Sequence, residues 1–411
     1  MLKKNWKWIL SVFFLLAIMG LLIYQIPAVN QRLSWRVDAG LVYVQSIFNP
    51  IENVPTPEIT SAPPVINVVT STPTPQLTDI PLTPTATQIP NQHKLESPEY
   101  EMQDWNNCGP ASLSMYLDYY GWVGNLTGDQ YEIATWIKPL DADRNVNVEE
   151  LVYFVRNYAG WLNTEYRVGG NVNLMKTLIA NGFPVLIEAG FDLDEDYYVN
   201  DDRWAGHYLL LTGYDDSTQT FVTQDSFKGA DIIVEYSEVE EHWKTFNRVY
   251  MLAYLPQQED QLKYILGSHW DNDYNREQAL QLSATLLEEY PDDAFEWFNL
   301  GSNLVYFDRN EEAAQAYDQA RLHGIPQRMM RYQFGPFFAY YNSENYEDLM
   351  VVVNYALSIT PNSEEALLWK GWTVFQKGDY YGAIEYFREA YRINPYNPDA
   401  LYALDQMNAE P

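Results

Sequence analysis

Gln103-Asp104-Trp105-Asn106-Asn107-Cys108-Gly109-Pro110-Ala111-Ser112 holds the only cysteine of a 411-residue chain, at the point where a polar turn gives way to a helix opening on proline. Proline is tolerated at the first helical position because its missing N–H has no intrahelical partner there. The thiol of Cys108 is thereby set against the unpaired amides of a helix N-terminus, which favour the thiolate. A free thiol titrates near ~8.5 and falls to roughly 3.5–7.5 at such a terminus beside a cationic histidine, and the thiolate is the attacking species. Most isolated cysteines are small buried hydrophobes, so the rest of the chain has to decide between packing and chemistry.

About a hundred residues on, Gly206-His207-Tyr208-Leu209-Leu210-Leu211-Thr212-Gly213-Tyr214 has the composition of a strand. Asp215-Asp216-Ser217-Thr218 is turn chemistry, and Phe221-Val222-Thr223-Gln224-Asp225 returns as a second strand. A hairpin symmetric about Asp216 pairs position 207 with position 225, and directly opposed side chains lie about 4.5–5.5 Å apart at Cβ. The spacing therefore predicts contact between His207 and Asp225. An aspartate on one ring nitrogen fixes the tautomer and leaves the other nitrogen to take a proton from a thiol. Taken alone, the pair is equally a structural His–Asp contact; with Cys108 at a helix start, a nucleophile, base and orienting group are all present.

These residues resemble a papain-fold cysteine peptidase domain of the C39-like type, the resemblance covering roughly residues 98 to 256 within a domain at 96–257. It implies an α+β fold, acyl transfer by Cys108 and His207 oriented by Asp225, and a glutamine ahead of the cysteine donating to the oxyanion. Gln103 stands in that place, one residue nearer the cysteine than the family spacing. Asp225 is followed by Ser226 where the family usually has proline, a departure expected to have little effect. His93, His242, His269 and His323 lie away from these motifs. No histidines or carboxylates show metal-ligand spacing around Cys108, so neither metal nor cofactor is expected.

Lys3, Lys4 and Lys7 precede an uncharged apolar run from Trp8 to Ile26. A spanning helix needs about 20 such residues. The reading is a single-pass membrane anchor at 1–30, N-terminus cytoplasmic and the remainder extracytoplasmic, followed by a juxtamembrane segment at 31–50. Residues 51–95 are rich in proline and threonine, as in Ser71-Thr72-Pro73-Thr74-Pro75, and are expected to be a disordered linker that holds the catalytic domain off the membrane.

Beyond Pro256 the pattern becomes helical with a period of thirty-four residues, seen in Gly267 and Gly301 and in Pro361 and Pro395. Trp297, Leu300, Gly301, Ala313, Tyr317 and Ala320 resemble the tetratricopeptide signature, and Gly371, Ala383, Phe387 and Ala390 repeat it. Four such repeats are expected over 260–397, the third degenerate, as an all-α solenoid folding independently and recruiting a protein partner, with a tail at 398–411. The net charge of −31 excludes a nucleic-acid partner on electrostatic grounds. The acidic run Asp192-Leu193-Asp194-Glu195-Asp196, with Asp201 and Asp202 beyond it, reads as a solvated loop. The chain is thus expected to be a multidomain, membrane-anchored thiol peptidase acting on a peptide or protein. An acyltransferase or amidase on the same groups, and a non-catalytic scaffold, are the alternatives.

Overall fold

The computed structural model describes residues 27–57, 63–64, 89–140 and 144–411, with scattered positions between 8 and 24. Its centre is a seven-stranded antiparallel sheet in the order β2-β7-β3-β4-β5-β6, with β1 added against β4. The strands are β1 Gln92–Lys94, β2 Asn163–Arg167, β3 Val185–Asp192, β4 Trp204–Asp215, β5 Thr220–Asp225, β6 Gly229–Glu235 and β7 Tyr250–Tyr254. Both faces of the central strands are buried, which is why β4 reads as a nearly unbroken apolar run. Successive side chains alternate across a strand. Leu186, Leu210 and Met251 enter the core shared with helix Cys108–Tyr119. Their neighbours Ile187, Leu211 and Leu252 enter a second core with helix Val172–Ala180.

The first of those cores runs without a break into the C-terminal helices, from Leu113 and Trp204 through Phe298 and Tyr332 to Tyr355 and Ala366. The expectation that the repeats fold independently is therefore not matched by the packing. Helical hairpins form from Ala294–Tyr306 with Asn310–Leu322, Gly335–Asn342 with Tyr346–Ile359, and Glu364–Gln376 with Tyr380–Ile393. Glycine is required where they close: a Cβ on Gly301 would stand 2.8 Å from the Tyr317 ring, and one on Gly371 would run into Phe387. The expected first repeat differs. Leu262 and Leu266 of helix Glu259–Leu266 sit in the second core with the sheet, so this helix belongs to the preceding domain. The expected tail forms helix Pro398–Gln406, whose Ala400, Ala403 and Leu404 close the array.

Two N-terminal expectations are corrected. Among the described residues no helix is long and apolar enough to cross a membrane, which overturns the predicted transmembrane helix. The described helix Pro27–Ser46 begins where the apolar run ends, and its sequence carries Arg32, Arg36 and Asp38. Each such charge at a bilayer centre costs roughly 2.5–3.5 kcal/mol. Most of the run Trp8 to Ile26 lies outside the described residues.

The expected linker likewise has structured ends. Residues 92–94 form β1, and Ile51 and Val54 are buried. Ile51 N donates to Val199 O at 2.9 Å. Tyr355 Oη donates to Glu52 O at 2.6 Å and Arg321 Nε to Pro55 O at 2.8 Å. Residues 46–55 are thus a strap across residues of the sheet-containing domain and of the helical region. The body of the linker, 58–62 and 65–88, lies outside the described residues.

Candidate active site

Helix Cys108–Tyr119 begins at the cysteine itself, with Pro110 third rather than first. The consequence for the thiol is unchanged, because the first four helical amides all lack intrahelical acceptors. Asn106 takes a left-handed φ of 48° to turn the chain into the helix. Asn107 does not cap it; its Nδ2 donates instead to Gln130 Oε1 at 2.8 Å. Gln130 also accepts from Asp104 N and donates to Met102 O, both at 2.8 Å. This one buried amide therefore holds the loop ahead of the cysteine. Nothing in the spacing of the sequence singled it out.

His207 and Asp225 do meet, by a different register from the one expected. The turn places Asp215 opposite Thr220, and a bulge between Leu211 and Gly213 then sets Leu209, not His207, opposite Asp225. His207 lies two residues further along the same face, a diagonal neighbour within reach of a long side chain. Its Nε2 is 2.7 Å from Asp225 Oδ1, with both side chains 4% exposed. Asp225 Oδ1 also accepts from the N–H groups of Phe227 and Lys228 at 2.8 and 3.0 Å. With Nε2 taken by the aspartate, Nδ1 is the ring nitrogen left for the hydrogen bond with Cys108.

The electrostatics follow from this chain of contacts. Burial by itself pushes the Cys108 thiol up, but the hydrogen bond and charge of His207, the charge of Lys138 and the N–H of Tyr208 bring it below its ordinary value. Burial pushes His207 down, and the Asp225 carboxylate more than reverses this, raising it to about 10. Burial raises Asp225, and His207 with the two backbone donors holds it below the usual carboxylate range. Lys138 was not anticipated from the sequence. It is buried, its Nζ donating to Asn106 O at 2.5 Å beside the cysteine.

Gln103 is held by the residue after the aspartate. Its N–H donates to Ser226 O at 2.9 Å, and its Oε1 accepts from Ser226 Oγ at 2.9 Å. That leaves Nε2 as the end of the amide able to donate. The serine that departs from the family pattern thus has a task, since proline would offer the carbonyl but no hydroxyl. Gln103, Cys108 and His207 line one cleft of about 490 Å3 with Trp105, Tyr197 and Tyr332. Among the described residues no cluster of three or more His, Cys, Asp or Glu side chains is arranged to hold a metal ion.

Residues 86–251 match the peptidase C39-like family, and residues 364–397 match the tetratricopeptide repeat. The match begins ahead of β1, in keeping with that strand's place in the sheet. No curated protein matches the chain. Among solved structures, a crystal structure described as a C39-like peptidase from Bacillus anthracis is similar at 19% identity, over 41% of this chain and 94% of that one. Its TM-score of 0.27 is too low to bear on the fold. The chain therefore carries a peptidase C39-like domain followed by a helical region that includes a tetratricopeptide repeat.

Proposed function

We propose that the peptidase C39-like domain is a working thiol peptidase, with Cys108 as nucleophile, His207 as base and then acid, and Asp225 as the orienting group. The observation that carries this reading is the buried chain from Cys108 through His207 to Asp225 at the bottom of an open cleft. A thiol held low beside an imidazole held high rests as a thiolate–imidazolium pair. The sulfur adds to the substrate carbonyl, and the tetrahedral oxyanion lies between the Cys108 N–H and Gln103 Nε2. His207 Nδ1–H then protonates the departing amine, and the C–N bond breaks to leave a thioester. Water attacks the thioester, giving its proton back to His207 as the sulfur leaves. Each oxyanion donor is worth on the order of 10² to 10³ in rate.

The test is alkylation of Cys108 by iodoacetamide as a function of pH. Reactivity is expected to persist well below the free-thiol value of ~8.5 and to move back toward it in His207→Ala. Gln103→Ala is expected to leave alkylation unchanged and to lower peptide hydrolysis. A wild-type profile like that of a free thiol, indifferent to His207, would refute the thiolate pair.

A further inference from the structure

The cleft has a wall that the catalytic domain does not hold up alone. Residues 193–203 connect β3 to β4 and carry Leu193 and Tyr197 into the cleft, where Tyr197 faces Trp105 with ring centroids 5.1 Å apart. The connection contains left-handed residues, Asn200 and Arg203, and little regular pairing. It is fastened at Val199 by the strap and, nearer the wall, by the segment leading into the degenerate repeat. Arg328 reaches over with both guanidinium nitrogens, Nη1 to Asp201 Oδ1 at 2.8 Å and Nη2 to Asp201 Oδ2 at 2.9 Å, the side chains being 2% and 0% exposed. Nη1 also donates to Trp204 O at 2.9 Å. Gln327 N donates to Asp202 Oδ2 at 2.8 Å, and Asp201 Oδ2 accepts in turn from Tyr197 N at 3.1 Å. The fork thus ends one hydrogen bond from the side chain that forms the wall. From the same segment, Tyr332 lines the cleft and packs against Gly206, where a Cβ would lie 3.4 Å from its ring.

The large apolar side chains this arrangement gathers around the thiol are Trp105, Phe191, Leu193, Tyr197, Phe227 and Tyr332, while Arg36, Asp104 and Asn106 line other parts of the same cleft. Arg328 is neutralised by Asp201, so the wall offers a substrate carboxylate no unspent cation from that residue.

We propose that Arg328 is a positioning residue through which the helical region shapes the cleft's specificity, and that the wall it holds selects a large apolar or aromatic side chain next to the scissile carbonyl. This rests on the reading of Cys108 as nucleophile. A bidentate fork is rigid where a lysine ammonium is not, so the geometry of the wall depends on arginine. An apolar wall disfavours a charged side chain set against it, because a carboxylate there would be desolvated unpaired.

The experiment compares inactivation of the full chain by acetyl-Ala-Ala-Phe and acetyl-Ala-Ala-Asp chloromethyl ketones, with iodoacetamide as a control that does not need the wall. The wild type is expected to prefer the phenylalanine reagent by roughly 10- to 100-fold, the range an apolar pocket supports. Arg328→Gln is expected to bring that ratio toward unity with the iodoacetamide rate unchanged, and Arg328→Lys to fall between. Leu193→Ala and Tyr197→Ala, which leave the buried pair intact, should lower the same ratio and keep the idea testable if Arg328→Gln does not fold. A wild type without preference, or wall variants that keep it, would overturn the proposal. If instead Cys108 alkylates as a free thiol, the nucleophile reading fails by itself. Calorimetric binding of acetyl-Ala-Ala-Phe-amide against the aspartate analogue then still decides whether the wall selects.

Discussion

Among the ion pairs by which the helical region grips the peptidase C39-like domain, two are buried at both ends, and the two do different things. Arg328 with Asp201 fastens the loop that forms a cleft wall. Arg144 with Glu364, Nη2 to Oε1 at 2.7 Å and side chains 3% and 5% exposed, fastens the start of a regular repeat helix to the connection before helix Val148–Tyr158. Neither Arg144 nor Glu364 lines the cleft. The regular repeat, with its full signature, meets the domain as a brace. The degenerate one, whose first helix is cut to Gly335–Asn342 behind the short helix Met329–Tyr332, reaches the cleft wall. Loss of the repeat signature coincides with a second demand on the same residues.

The sharpest way to break this contrast is to break each pair. Removing one partner of a buried pair costs about 3–5 kcal/mol because the other charge is left uncompensated. Glu364→Gln and Asp201→Asn are both expected to approach that loss in chemical denaturation, but only Asp201→Asn should also disturb the choice between peptide reagents. Equal effects on selectivity would erase the distinction.

Next come the glycines of the two contacts. Gly371→Ala pushes a methyl into Phe387 and is expected to cost roughly 1–3 kcal/mol in thermal or denaturant unfolding, with Cys108 alkylation unaltered. Gly206→Ala meets Phe246 at 2.7 Å, beside His207, and should lower stability by a similar amount while also slowing alkylation near neutral pH. A Gly206→Ala protein with normal alkylation would show that the catalytic strand tolerates displacement.

Acid separates them by charge state. Burial raises Asp201, and the Arg328 fork brings it below its ordinary 3.8. A depressed carboxylate contributes stability that is present above the unfolded value and lost as pH falls through the lower native one. The stability gap between wild type and Asp201→Asn is therefore expected to narrow as pH falls below about 4. His207 has the opposite sign: raised to about 10, its contribution is full below 6.5 and lost as pH rises through the native value. The smallest effect belongs to a partly exposed crossing, Lys244 with Asp293 at 3.0 Å, where Lys244→Ala should change stability by about 0–1 kcal/mol.

Much of the site was legible because its signals are local. Cys108 at a helix start and His207 on a strand need only neighbouring residues. The contact between His207 and Asp225 was anticipated through a register that the bulge at Leu211 and Gly213 then altered, and alternation of faces saved the pairing. β1 was missed because Gln92-His93-Lys94 has no apolar alternation and gains its structure by pairing with β4. The final helix had a readable start in Asn397-Pro398-Asp399, an N-cap followed by proline. Asp201 and Asp202 looked like the acidic run before them, yet Asp192, Asp194, Glu195 and Asp196 are exposed while the Asp201 side chain is buried. No local pattern tells a solvated aspartate from one whose arginine lies more than a hundred residues away.

The strap has a mechanical consequence. Tension along the backbone beyond helix Pro27–Ser46 passes into the folded body where Ser46 Oγ accepts from Val199 N at 2.8 Å and Ile51 N donates to Val199 O at 2.9 Å. Both attachments load one residue, two positions from Tyr197. Under a pull from the N-terminal side, stress reaches the loop that forms the cleft wall before it reaches the ladder of the sheet, and the aperture of the cleft deforms while the strands beneath it still hold their shape.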